Sequence, residues 1–202
     1  MIVYTADHGE FLGFHHLLLK GNYLYEPLIK VPLIIKFPGH RLVGKVCSAL
    51  VSSIDVTSTI LAATGVKPGP DMRGHSLESV CAGNQPGREY LFAEDGSCNM
   101  VRSRTRKLLL CATSSNRSLF FDLERDPLEK TNLFHEAAYQ TEIRELKEHL
   151  LHWFQTETQA EPHVNPEAPQ IVRPNVPRSR EASEREMEDY FKRQMDKVLP
   201  AR

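Results

Sequence analysis

Four short apolar runs follow one another between Glu89 and Leu123, too closely spaced for helices to fit between them. They are Glu89–Ala93, Met100–Arg104, Lys107–Ala112 and Leu119–Leu123, separated by polar stretches such as Thr113–Ser118. Parallel neighbours need long crossovers, so this spacing predicts an antiparallel sheet. After Asp126-Pro127 and Asn132 a helix is expected from about His135 to Glu157. Leu146, Leu150 and Phe154 recur every four residues there, with Ile143 and Trp153 beside the same stripe, so this helix should pack on the small sheet.

Residues 1–85 read differently. Met1–Thr5 is already strand-like, and Val31–Phe37 is an almost wholly apolar run bounded by Pro38-Gly39. Such a run is expected of a strand buried on both faces of a parallel sheet. Val46–Val51 reads as another. Ser53 to Thr64 reads as a helix with Asp55 as its cap, Ile60 to Ala63 as its packing face and Gly65 as its stop. The fold class expected is α/β: part of a mixed or parallel sheet sandwiched by helices over 1–85, then a small α+β subdomain over 86–158. Residues 159–202 are a tail, with five prolines between Pro162 and Pro177 and a charged, narrowly amphipathic helix from Arg180 to Leu199. That helix is expected to pack on its own domain or to join copies of the chain into a homo-oligomer.

Lys and Arg total 25 against 26 Asp and Glu, a net charge of −1, which removes the electrostatic case for nucleic acid or an anionic membrane surface as partner. No apolar run approaches the roughly 20 residues that span a bilayer. The 202 residues suffice for one ordinary domain or for part of a larger protein. No secretory leader is recognisable at Met1, a strand-like start that says little about compartment. Cys47, Cys81, Cys98 and Cys111 have no zinc-like spacing, and Cys47 and Cys111 sit in apolar runs as expected of small buried hydrophobes.

The chemistry-bearing residues cluster near the start. Asp7 and His8 follow the first strand, and the carboxyl ends of strands are where open α/β sheets bind ligands. A carboxylate beside an imidazole can reach one cation, with Gly9 letting the backbone turn away; Ca²⁺, Mg²⁺, Mn²⁺ and Zn²⁺ all accept such donors. The plainer reading is a turn in which Asp7 bonds its own backbone. What weighs against it is the company: His15 and Lys20 lie within thirteen positions of Asp7, a set suited to a tetrahedral oxyanion. Lys20 would neutralise anion charge and an imidazolium would protonate a leaving oxygen.

The stretch T-A-D-H-G-E-F-L-G-F-H-H-L-L-L-K from Thr5 to Lys20 resembles the second half of the sulfatase domain in the alkaline phosphatase superfamily, written there S-D-[NH]-G-x-x-L-G-x-H-G-x-x-x-K. Agreement continues in Tyr25-Glu26 and Val31-Pro32-Leu33-Ile34, in Arg73-Gly74-His75-Ser76-Leu77, and in Phe121-Asp122-Leu123 through Asp126-Pro127, Glu129 and Asn132-Leu133, similar to the family's Y-D-L-x-x-D-P-x-E-x-x-N-L. The resemblance covers residues 1 to about 155. It implies that Asp7 and His8 are the second pair of ligands to a divalent cation, most often Ca²⁺ with Mg²⁺ or Mn²⁺ as alternatives, that Lys20 binds the substrate sulfate, and that His15 lies near the rim of the site. His16 stands where the family has Gly, Phe14 where an acidic residue is common, and Ser58 where Pro is frequent in the helix after Asp55.

The resemblance also implies parts that these residues do not supply. Sulfatases attack with a hydrated formylglycine made from Cys or Ser in C/S-x-P/A-x-R, and no cysteine or serine here has that context. The family's first pair of aspartate ligands is absent as well, so formylglycine is expected in an N-terminal half and this chain alone is expected to be inactive. The intact enzyme is expected to hydrolyse a sulfated small molecule or glycan, in the periplasm, outside the cell or in the lysosome as is typical of the family. The alternatives are a phosphoryl or phosphonate ester hydrolase of the same superfamily, and a non-catalytic sulfatase-like protein.

Overall fold

The structure is a computed structural model that describes residues 1–20, 23–95, 98–111 and 118–157. The expected turn at Thr113–Ser118, except Ser118 itself, and the whole tail, with its helix and its role in oligomerisation, lie outside the described residues. The described residues all fall in one compact unit.

Its centre is the antiparallel sheet that the spacing predicted, built as a meander. Strands β3 (Leu91–Asp95), β4 (Cys98–Arg102), β5 (Arg106–Cys111) and β6 (Leu119–Asp122) lie side by side in chain order. Successive residues of a strand point to opposite faces, and this sheet buries both. On one face, Val101, Leu108 and Phe120 meet Ile143, Leu146 and Leu150 of the long helix α4 (Gln140–Glu157). Arg106 fastens that contact, because its guanidinium binds Asp122 on β6 and Glu142 on α4. On the other face, Met100, Leu109 and Phe121 pack with Leu24, Tyr25 and Ile29 from the first third of the chain. The sheet is therefore also the floor on which the Asp7–Lys20 region is mounted.

The D-L-x-x-D-P-x-E-x-x-N-L signature proves to be a set of turn and docking devices. Asp122 Oδ1 accepts from the amides of Glu124 and Arg125, and Asp126 Oδ2 from Thr131. Asn132 Oδ1 accepts from Phe120 and Phe134 while its amide nitrogen donates to the Ser118 carbonyl. These bonds satisfy backbone groups that the turn after β6 would otherwise leave unpaired.

In residues 1–85, β1 (Ile2–Thr5) pairs with β2 (Leu33–Lys36), and the mixed α/β class stands. The pairing is antiparallel, however, not the parallel arrangement expected of Val31–Phe37, and Ile34 is 66% exposed. An apolar run records that a strand is suited to burial, but carries no information about its neighbour's direction. Val46–Val51 is not a strand: Val46 is 89% exposed, and only Leu50 forms a bridge, to Arg88. Helix α2 (Ile54–Thr64) ends on Gly65 with φ 73° as expected, a left-handed stop that favours glycine.

Its buried face differs from the expected one. Asp55, Ser58 and Thr59 are inside, whereas Ile60 is exposed. Asp55 lies within the first turn rather than at the cap, and it organises three segments at once. Its carboxylate accepts from the amides of Ser52 (2.7 Å) and His75 (2.8 Å) and from Arg88 (2.5 Å). Thr59 Oγ1 accepts from the Leu77 amide, seating helix α3 (Leu77–Ala82) against α2. The backbone at Gly74 comes so near that a Cβ there would lie 2.3 Å from the Ile54 carbonyl oxygen and 2.4 Å from Ser58 Oγ. Ser58 is thus part of a local packing contact.

The cysteines also depart from expectation. Cys98 and Cys111, directly opposite each other on β4 and β5, form a disulfide, and Cys47 is exposed rather than buried. Sequence spacing could not pair Cys98 with Cys111 before the strand register was known.

Candidate active site

The loop leaving β1 carries the expected cation donors. Asp7 Oδ1 accepts from the His8 amide at 2.9 Å, the local turn that the plainer reading anticipated. The same turn also aims both side chains. His8 Nδ1 lies 2.7 Å from the Gly9 carbonyl, a contact that assigns the ring proton to Nδ1 and leaves the Nε2 lone pair available. Nε2 lies 3.5 Å from Asp7 Oδ2. Two donors at that separation fit around one cation with metal–ligand distances of about 2.0–2.5 Å. Asp7 is exposed. The His8 amide and then the His8 ring hold its carboxyl below the ordinary value of 3.8 against a smaller opposing effect of burial, with a further contribution from the Lys20 ammonium. Among the described residues no third His, Cys, Asp or Glu joins the pair. Asp7 and His8 are therefore suited to part of a coordination shell.

Gly9 serves this loop otherwise than as a turn. Its amide donates to the Leu28 carbonyl at 2.7 Å, and a Cβ on it would sit 1.9 Å from the Pro27 carbonyl oxygen. Only glycine allows so close an approach of two backbones. Asp7 and His8 are thereby held against helix α1 (Glu26–Ile29).

Helix α1 is in turn anchored on the sheet by four charges. Arg102 on β4 forms a two-pronged pair with Glu26, Nε to Oε1 at 2.8 Å and Nη2 to Oε2 at 3.2 Å. Lys107 on β5 is wholly buried, with Nζ 2.6 Å from Glu129 Oε1 and 3.4 Å from Glu26 Oε1. The second Glu129 oxygen accepts from the Glu26 amide at 2.6 Å. Burial lowers the Lys107 pKa, opposed by Glu129 and Glu26. For Glu26 burial works upward, but Arg102 and Lys107 outweigh it and the carboxyl ends below its ordinary range. Two cations facing two anions leave no net charge in the buried cluster, the condition under which such groups tolerate exclusion from water.

Between the loop and α1 the chain is tightly bent. Leu12, Gly13, His15 and His16 all have φ between 48° and 95°. His16, where the resembling family has glycine, adopts φ 60°, so the position keeps the conformation without the residue that bears it at least cost. His15 stacks on Tyr25 at 4.3 Å and meets Phe14 edge-on at 4.5 Å. Its Nε2 is buried without a hydrogen-bond partner among the described residues. Lys20 is exposed. The structure thus seats Asp7 and His8 together, leaves Lys20 on the surface, and holds His15 in an aromatic bracket. The Glu26–Arg102–Lys107–Glu129 cluster escaped sequence reasoning, because the members are up to 103 residues apart and each reads singly as surface charge.

The chain is a C-terminal portion of the alkaline phosphatase superfamily. Residues 13–156 match the family described as N-sulphoglucosamine sulphohydrolase, C-terminal, and the chain belongs to that sulfatase family. It is 33% identical over 174 residues to the multifunctional alkaline phosphatase superfamily protein PehA of Trinickia caryophylli, covering 76% of this chain and 34% of the relative. Identity to the N-acetylglucosamine-6-O-sulfatase of Bacteroides thetaiotaomicron is 30%, covering 72% and 28%. Among solved structures, a protein in complex with its substrate D-glucosamine-2-N,6-O-disulfate superposes with a TM-score of 0.69 at 28% identity, covering 80% of this chain and 35% of that one. The phosphonate monoester hydrolase of Agrobacterium radiobacter gives 0.66 at 26% identity, covering 77% and 36%. The chain spans about a third of the length of the curated relatives that it matches.

Proposed function

We propose that this chain supplies part of the cation site and the sulfate-binding lysine of a hydrolase acting on sulfate esters or sulfamates of an amino sugar. The observation that carries the reading is the convergence of Asp7 Oδ2 and His8 Nε2, 3.5 Å apart, with the His8 tautomer set by Gly9. Asp7 and His8 would hold a divalent cation, most simply Ca²⁺, with Mg²⁺ or Mn²⁺ as alternatives. A cation bound there would stabilise negative charge on the oxygens around sulfur. Lys20 grips a second oxygen of the same group, and His15, with its unpartnered Nε2, donates a proton to the departing oxygen or nitrogen. The remaining metal ligands and the formylglycine nucleophile come from residues outside this chain, so these residues alone do not turn over. The amino-sugar substrate is suggested by the family's description and by the disulfated glucosamine in the structural relative.

The test uses the full-length protein. Lys20→Ala should lower kcat/KM on a sulfated substrate by about 10²–10³-fold, the loss typical of removing one charge-stabilising donor. Asp7→Asn should weaken binding of the cation measured by calorimetry. Near-normal turnover of a folded Lys20→Ala protein would refute the assignment. A second reading, hydrolysis of phosphate or phosphonate monoesters, is favoured by the likeness to PehA and to the phosphonate monoester hydrolase. Higher kcat/KM on a phosphonate monoester than on the matched sulfate ester would establish it instead. No turnover of either ester by the folded, cation-loaded full-length protein would identify a non-catalytic sulfatase-like protein.

A further inference from the structure

We propose that the cleft between the 12–16 bend, helix α1 and the turn after β6 is a subsite for an anionic sugar ring next to the ring that carries the sulfate. The proposal rests on the amino-sugar reading above and adds to it a second ring and the residue that selects it. The cleft has a volume of about 200 Å³ and is lined by Phe14, Glu26, Pro27, Lys30, Pro127 and Leu128. That is below the roughly 300–1,000 Å³ that encloses a whole drug-sized ligand, so one ring fits and the rest of a larger molecule stays outside. Two of its walls adjoin the candidate site. The Phe14 ring meets His15 edge-on, and the Pro27 carbonyl is the group against which Gly9 holds the Asp7–His8 loop.

The backbone on both sides of the cleft is held in costly conformations. Phe14 sits on the bend with left-handed backbone at Leu12, Gly13, His15 and His16. In the turn after β6, Glu129 is left-handed as well, with φ 53°, and is buried. Its carboxylate is turned inward onto Lys107 and the Glu26 amide, while Leu128 beside it stays 47% exposed. Residues other than glycine take this conformation at a cost, and such strain clusters where ligands are held. Charge then decides what the cleft accepts. Of its two charged walls, Glu26 is neutralised by Arg102 and Lys107. Lys30 is exposed and forms no ion pair among the described residues, so its ammonium gives the cleft a positive sign. Phe14, Pro27, Pro127 and Leu128 supply apolar surface for the C–H face of a ring. A pyranose bearing a carboxylate offers both the apolar face and the negative group.

The full-length protein is assayed on two substrates built on the same sulfated glucosamine, a disaccharide whose neighbouring ring is glucuronate and the methyl glycoside without it. Lys30→Gln should raise KM on the disaccharide about three- to fivefold, the effect of one partly exposed charge pair, with kcat and the methyl glycoside unchanged. Lys30→Arg should keep the original KM, and Leu128→Asp should raise it on the disaccharide alone. Equal effects of Lys30→Gln on both substrates, or none on either, overturn the subsite, while turnover of the methyl glycoside leaves the parent reading standing. If neither substrate turns over, the parent reading fails and calorimetry with the same disaccharide decides on the subsite. Weaker binding by Lys30→Gln than by the unsubstituted protein supports it; equal affinity, or no binding by either, overturns it.

Discussion

Replacement of Lys107 by methionine tests whether the buried charge cluster mounts the site on the sheet. Methionine keeps most of the length of the lysine stem and none of its charge. Glu129 would lose its cation at 2.6 Å, and Glu26 would keep Arg102 but lose the second contact at 3.4 Å. Removing one partner of a buried pair typically costs about 3–5 kcal/mol, because the other charge stays inside without compensation. That corresponds to roughly two to four powers of ten in the folding equilibrium constant. Urea unfolding followed by circular dichroism reads the loss as a lower midpoint at unchanged slope. The decisive comparison adds Glu129→Gln. Glutamine can still accept from the Glu26 amide, so the Lys107→Met/Glu129→Gln protein should recover most of the stability, and the cycle should show coupling well above the roughly 0.5 kcal/mol seen for independent sites. If Lys107→Met costs less than about 1 kcal/mol, or if the second substitution deepens the loss, the cluster does not join α1 to the sheet.

Two other perturbations probe neighbouring parts of the same framework. Asp55 is 1% exposed; burial works to raise its pKa, but Arg88 and the Ser52 and His75 amides outweigh burial and hold it below 3.8. Below that value the unfolded chain takes up a proton that the folded one does not hold, so acid favours unfolding; this contribution is complete above about pH 5 and fades as pH falls through the lowered folded value. Asp55→Asn should flatten the acid limb of the stability–pH curve, and an unchanged limb would contradict the role given to Arg88. Gly9→Ala drives a methyl group into the Pro27 carbonyl and should destabilise the protein by at least about 2 kcal/mol while weakening cation binding; calorimetry showing wild-type affinity would separate Gly9 from the positioning of Asp7 and His8.

Local pattern made the antiparallel sheet and the helix α4 legible from sequence, because close strand spacing and a four-residue stripe are short-range signals. Asp7, His8, His15 and Lys20 stood out for the same reason: they crowd into fourteen positions after a strand. What the pattern misjudged were partnerships between distant segments. The run at Leu33–Lys36 was apolar whichever way its neighbour ran, and α2 turned a polar face inward because Arg88 and the His75 amide were waiting for Asp55. The left-handed backbone at His16 was concealed by a side chain that does not advertise it.

The sequence by itself determined most of the elements and which loop gathers Asp7, His8, His15 and Lys20, since propensity, periodicity and close spacing are properties of neighbouring residues. Tertiary structure decided how that loop is held. Lys107, Glu26, Arg102 and Glu129 became a neutral buried cluster, Gly9 became a backbone contact, and Cys98 found Cys111, each only after chain closure brought together groups that share no local signal. Electrostatic compensation inside a protein is a relation between partners, and partners are chosen by the fold.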